Sequence, residues 1–190
     1  MTKAELRIAY RLQRRKLTAK QLDDYSLQIA NQVLQLDIWN FSFYHIFLSI
    51  EEQHEVNTDY ILNILSGKDK NIVLSKSDFK TGLLNNFLLT DNTTIKKNKY
   101  NIPEPVDGIP IPSESMEVVF IPLLAFDAKG NRVGYGKGFY DTFLASCKPE
   151  TIKIGLSFFE AETRVITDIF EGDIALDYCV TPKQVYHFTL

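Results

Sequence analysis

Leu22, Tyr25, Ile29, Val33 and Leu36 recur every three or four residues, which places them on one face of a helix. Thr18, followed three residues on by Gln21, forms a capping box that predicts the start of that helix. Residues 2 to 16 predict an earlier, basic helix, with Lys3 and Arg7 projecting from one face. The run Phe43-Tyr44-His45-Ile46-Phe47-Leu48-Ser49-Ile50 is nearly all apolar and of strand length, as expected for a parallel strand buried on both sides. Thr58 is the expected cap of a helix through Ile61, Leu62 and Leu65 that stops at Gly67. Ile72-Val73-Leu74 then completes a βαβ unit, with Lys76 just beyond the strand. Further strands are predicted around Phe87-Leu88-Leu89, Val118-Val119-Phe120-Ile121, Ile152 to Phe158 and, as the final one, Tyr178-Cys179-Val180-Thr181. A helix is expected from about Gly138 to Ser146, and Ile102 to Pro112 reads as a proline-rich excursion. Alternating strands and helices predict a mostly parallel α/β sandwich.

A chain of 190 residues suits a single domain spanning residues 1–190. The net charge of −3 argues against broad nucleic-acid binding, which needs a basic face. Cys147 and Cys179 offer neither a disulfide framework nor metal-ligand spacing, and are expected as buried free thiols. The chain shows no apolar signal region and no run of membrane-spanning length, so a cytoplasmic protein without membrane contact is expected.

Chemistry concentrates in one stretch. Gly130, Gly134, Gly136 and Gly138 fall within nine residues, interleaved with Arg132, Lys137, Tyr135 and Phe139 and followed by Tyr140 and Asp141. Glycines let a backbone approach a ligand closely, and successive N–H groups in such a loop make a nest for anions. Arg132 and Lys137 add positive charge, and Asp141 is suited to hold a metal ion or to tie the loop down. The spacing fits neither a Walker A loop nor the G-x-G-x-x-G fingerprint. A nucleotide-phosphate site and an ordinary bulged hairpin therefore both remain open on composition alone. Elsewhere, Glu55 and Asn57 sit between a strand end and a helix start, the edge where open α/β sheets bind ligands. His45 is expected inside a strand and His54 and His187 at the surface, so no nucleophile–base pair emerges.

Pro122-Leu123-Leu124-Ala125-Phe126-Asp127, followed by Gly130-Asn131-Arg132-Val133-Gly134-Tyr135-Gly136-Lys137-Gly138-Phe139-Tyr140-Asp141, resembles the signature of the 5-formyltetrahydrofolate cyclo-ligase family. The likeness extends to Lys3-Ala4-Glu5-Leu6-Arg7, Glu55-Val56-Asn57-Thr58, Tyr100-Asn101-Ile102-Pro103-Glu104-Pro105, Glu171-Gly172-Asp173 and Asp177. Departures are Leu123 for a usual glycine, Ser75-Lys76 for Pro-Arg, Asn57 for a frequent acid and Ala161 for a common glutamine.

The resemblance implies a three-layer fold similar to the NagB/RpiA/CoA-transferase group. It also implies ATP-dependent closure of 5-formyltetrahydrofolate to 5,10-methenyltetrahydrofolate, with Mg²⁺ beside the nucleotide and a monomeric enzyme. On that footing Lys3, Arg7, Arg132, Val133, Gly134, Tyr135, Gly136, Lys137, Gly138, Phe139 and Tyr140 belong to the ATP site, with Arg132 and Lys137 as the catalytic cations. Ile50, Glu55, Asn57, Tyr100, Tyr135 and Phe139 belong to the folate site, and Asp141 and Asp173 to the metal. Read without the resemblance, Lys3 and Arg7 are a solvated face, Asp173 a turn acid, and Phe139 and Tyr140 core packing. Competing functions are a sugar-phosphate isomerase or CoA transferase on the same fold, and a folate- or nucleotide-binding module without turnover.

Overall fold

Along the strand Val118–Pro122, Val118 and Phe120 face one apolar core while Val119 and Ile121 face another. Successive strand side chains point to opposite faces, so a strand apolar at every position must be covered on both sides. The computed structural model describes residues 1–188. Among them it has helices α1 (Lys3–Arg15), α2 (Ala19–Val33), α3 (Asp59–Gly67) and α4 (Phe139–Ala145). The strands are β1 (Phe43–His45), β2 (Asn71–Asp78), β3 (Leu83–Leu88), β4 (Ile95–Lys97), β5 (Pro103–Pro105), β6 (Val118–Pro122), β7 (Ala125–Phe126), β8 (Arg132–Val133), β9 (Ile152–Leu156), β10 (Tyr178–Val180) and β11 (Val185–His187).

Seven strands form one sheet in the order β11-β10-β9-β6-β1-β2-β3. It is parallel from β10 to β2, with antiparallel strands at both edges. Ile29, Val33, Ile61 and Leu65 of α2 and α3 cover one face, and Phe143 and Leu144 of α4 cover the other. This is the expected three-layer α/β arrangement. A smaller cluster of Leu6, Tyr10, Leu124 and Val133 fastens α1 to the β7–β8 hairpin. Among the described residues no helix is long and apolar enough to cross a membrane.

Capping boxes start both α1, at Thr2 with Glu5, and α2, at Thr18 with Gln21. Thr58 does not cap α3 through its side chain: its hydroxyl donates instead to the Phe47 carbonyl at 2.8 Å. The cap is supplied by Asn57, whose Oδ1 accepts from Asp59 N at 3.0 Å. The apolar run from Phe43 is a strand only as far as His45, and the rest leaves the sheet toward the site. Lys76 lies inside β2 rather than beyond it, because pairing with β3 carries the ladder on to Asp78. The last strand is β11, not the segment at Tyr178. Cys179 is buried but Cys147 only partly so. His187 is exposed as expected, whereas His54 is half-buried with Nδ1 3.2 Å from the Arg14 carbonyl.

One glycine outside the loop is required by close packing. A Cβ at Gly155 would lie 2.5 Å from Leu123 Cδ2 and 2.7 Å from Leu176 Cδ1. The unusual Leu123 thus fills the space that Gly155 leaves open on β9.

Candidate active site

The parallel neighbours β6, β1 and β2 end at the rim of a cavity of about 540 Å³. Crevices outside the carboxyl ends of such strands are the usual ligand sites of open α/β sheets. α1 contributes Lys3 and Arg7 to its wall, and the segment after β8 contributes Gly134 to Gly138. Phe139, Tyr140 and Asp141 come from the first turn of α4, and Phe170 and Asp173 from a turn late in the chain. Ile50, Glu55 and Tyr100 complete the set predicted from the sequence. Two expected site residues stay off the wall. Asn57 has its side chain committed to the α3 cap, and Val133 is buried beneath the hairpin with Leu6 and Tyr10.

The loop is held from below by Asp127, which accepts from the backbone N–H groups of Lys129 and Asn131 and from the Asn131 amide. Gly136 has φ +86°, and a Cβ there would stand 3.1 Å from Arg7 Cζ. Arg7 Nε donates to the Gly134 carbonyl at 3.0 Å. The loop is therefore wrapped on the guanidinium of α1, and glycine is needed both for the left-handed turn and for the close approach.

Two of the four cations are already paired. Arg132 donates to Asp141 Oδ1 at 2.7 Å and also reaches the Ile174 carbonyl. Lys3 pairs with Asp173 Oδ2, which also accepts from Phe170 N at 2.7 Å. Among the described residues neither Arg7 nor Lys137 is paired with a carboxylate, so the wall carries an excess of positive charge facing the cavity.

Deeper in, Glu55 is buried, with Oε1 accepting from the Tyr135 hydroxyl and Oε2 from Ile50 N, both at 2.7 Å. Burial pushes its carboxyl above the ordinary range, opposed by the nearby Arg14 and by these hydrogen bonds. Burial raises the Tyr135 and Tyr140 hydroxyls as well, so both remain phenols. His45 is fully buried in the floor, with Nε2 2.6 Å from Ser75 Oγ. Desolvation lowers it to about 3, leaving the imidazole neutral. Phe79 joins Tyr100 and Phe139 in an aromatic wall, with ring centroids 4.3 and 5.1 Å from its own.

A model of the 5-formyltetrahydrofolate cyclo-ligase family matches residues 1–180. The chain belongs to that family. It is 30% identical over 158 residues to the 5-formyltetrahydrofolate cyclo-ligase of Haemophilus influenzae, covering 81% of this chain and 84% of that one. It is 29% identical over 153 residues to the mouse cyclo-ligase, covering 76% and 74%. The NMR structure of Aquifex aeolicus 5,10-methenyltetrahydrofolate synthetase superimposes with a TM-score of 0.84 at 25% identity, over all of this chain and 94% of that one. As a cyclo-ligase family member the chain is an enzyme of the ligase class.

In this cyclo-ligase family member, Asp141 and Asp173 fit a magnesium ion. Each uses only one carboxylate oxygen on protein groups, and among the described residues no three His, Cys, Asp or Glu side chains cluster as a complete metal cage. Mg²⁺ takes one or two carboxylates and fills its octahedron with water and phosphate oxygens. Sequence reasoning missed Arg14, Phe79 and Phe170. Arg14 shares the buried face of α1 with Lys3, Leu6 and Tyr10, and an arginine on an apolar stripe was the available signal. Phe79 and Phe170 lie in turns, where no periodicity marks them.

Proposed function

We propose that the chain closes 5-formyltetrahydrofolate to 5,10-methenyltetrahydrofolate while ATP is cleaved to ADP and phosphate. The observation that carries this is the juxtaposition, in one cavity, of a glycine loop wrapped on Arg7, four cations and a buried carboxylate. The formyl oxygen is a poor leaving group. Its attack on the γ-phosphorus of ATP, with departure of ADP, makes it a phosphate ester. N10 then bonds to the formyl carbon and gives up its proton, and the carbon–oxygen bond breaks as phosphate leaves with the former formyl oxygen.

Such chemistry asks the protein mainly for positioning and charge stabilisation. Lys3, Arg7, Arg132 and Lys137 hold the phosphates, and Arg132 and Lys137 stabilise charge developing on the transferred group. Asp141 and Asp173 would hold Mg²⁺, which when bound would supply further charge neutralisation. Carboxylates and cations are paired in advance, so Lys3 and Arg132 are held at the cavity wall where phosphates would meet them. Glu55 retains lone pairs for N–H groups of the pterin, and Phe79, Tyr100 and Phe139 wall its rings. Absorbance of the methenyl product, with Mg-ATP present and absent, tests the reading. ATP-dependent turnover abolished by Asp141→Ala is expected; a folded protein that binds ATP or folate without turnover would overturn it.

A further inference from the structure

We propose that Phe170 is the platform on which the nucleotide base stacks. The inference rests on the reading that the cavity takes ATP. Phe170 is 68% exposed, more than any other large apolar side chain among the described residues, yet it lines the cavity. Its backbone is held in a short turn: Phe170 N donates to Asp173 Oδ2 at 2.7 Å, and Asp173 N donates to the Phe170 carbonyl at 3.0 Å. The ring is thus presented by a braced turn rather than by a loose tail.

The other cavity rings are engaged, Phe47 by packing against the apolar core. Phe139 and Tyr100 lean on Phe79. Tyr140 is edge-on to Phe143 and His45. The Tyr135 hydroxyl is held between Arg14 and Glu55, with Arg11 over its ring. Among the described residues Phe170 has no aromatic neighbour. Its one cation contact is Lys3 Nζ, 5.2 Å from the ring centroid. Lys3 is itself one of the phosphate cations, so a nucleotide anchored there carries its base, one ribose away, toward the adjoining ring. With Lys3 on one face, the other is open to a purine. Stacking on an exposed ring reads the flat surface of a base rather than its hydrogen-bonding edge.

Calorimetric titration of ATP and of inorganic tripolyphosphate, each with Mg²⁺, into the wild type, Phe170→Ala and Phe170→Trp separates stacking from structure. Phe170→Ala should bind ATP about tenfold or more weakly, with tripolyphosphate affinity unchanged, and Phe170→Trp should restore ATP binding. Equal loss of both ligands would mean that the turn and Lys3 were disturbed, and would overturn the platform role, as would no loss at all. A wild type that binds neither ligand would overturn the ATP reading itself. Thermal melting of each variant confirms that the comparison is between folded proteins.

Discussion

Tyr135 and Glu55, 80 residues apart in sequence, meet through a 2.7 Å hydrogen bond beneath the glycine loop. The same hydroxyl accepts from Arg14 Nη1 at 2.9 Å. One phenol thus joins α1, the loop after β8 and the segment after β1, and it fixes the buried carboxylate that lines the cavity.

Tyr135→Phe removes a donor from Glu55 and an acceptor from Arg14 while keeping the ring. A buried polar group left without its partner costs about 1–3 kcal/mol. Urea denaturation should show a stability loss of that order, and the KM for folate should rise more than the KM for ATP. Unchanged stability would mean that water replaces the phenol and the linkage carries little energy.

Gly136→Ala combines two faults. The left-handed backbone disfavours any Cβ, by about 1–2 kcal/mol, and the new methyl would lie 3.1 Å from the Arg7 guanidinium. Arg7 must shift, so ATP affinity should fall beyond what the stability loss explains. Retained ATP affinity in the folded variant would show that Arg7 does not bind phosphate from this position.

Arg132→Ala and Lys137→Ala separate bracing from catalysis. Arg132 is tied to Asp141 and Ile174, so its loss should lower both stability and ATP use, and ATP use far more than folate binding. Lys137 is exposed and unpaired with any carboxylate among the described residues. Its loss should reduce kcat by about a hundredfold with the melting temperature unchanged. Equal weakening of ATP and folate in folded Arg132→Ala would undermine the assignment.

His45 predicts a pH dependence of stability. Burial lowers it from its ordinary value of 6.5 to about 3. Below 6.5 the unfolded chain takes up a proton that the native state refuses, so this contribution to stability is present above 6.5 and is lost as pH falls. Between pH 7 and 5 the loss amounts to about 2 kcal/mol. His45→Gln should flatten that part of the stability–pH curve in denaturant titrations; an identical slope in both proteins would show that His45 is not the titrating group.

Much of the frame was legible because its signals are local. Thr18 and Gln21 mark a helix start through contacts three residues apart, and both partners of that box form as expected. The two-sided burial of β6 follows from its unbroken apolar run. Thr58 misled because a hydroxyl at a helix start has competing acceptors, and the nearby Phe47 carbonyl, beyond the end of β1, takes its proton. The fate of Lys76 was hidden because the length of β2 is set by its partner β3, whose apolar signal is weak.

The sequence by itself determined the helix starts, the parallel core, the family likeness and the residue types of the glycine loop, since all of these depend on near neighbours or on pattern. Only the tertiary structure decided which charges meet. Lys3 finds Asp173 across 170 residues of chain, Arg14 reaches Tyr135 across 121, and Asn57 is spent on a cap rather than on the cavity. Such pairings depend on how the sheet orders its strands and where each strand stops, and those long-range contacts are written in no local spacing.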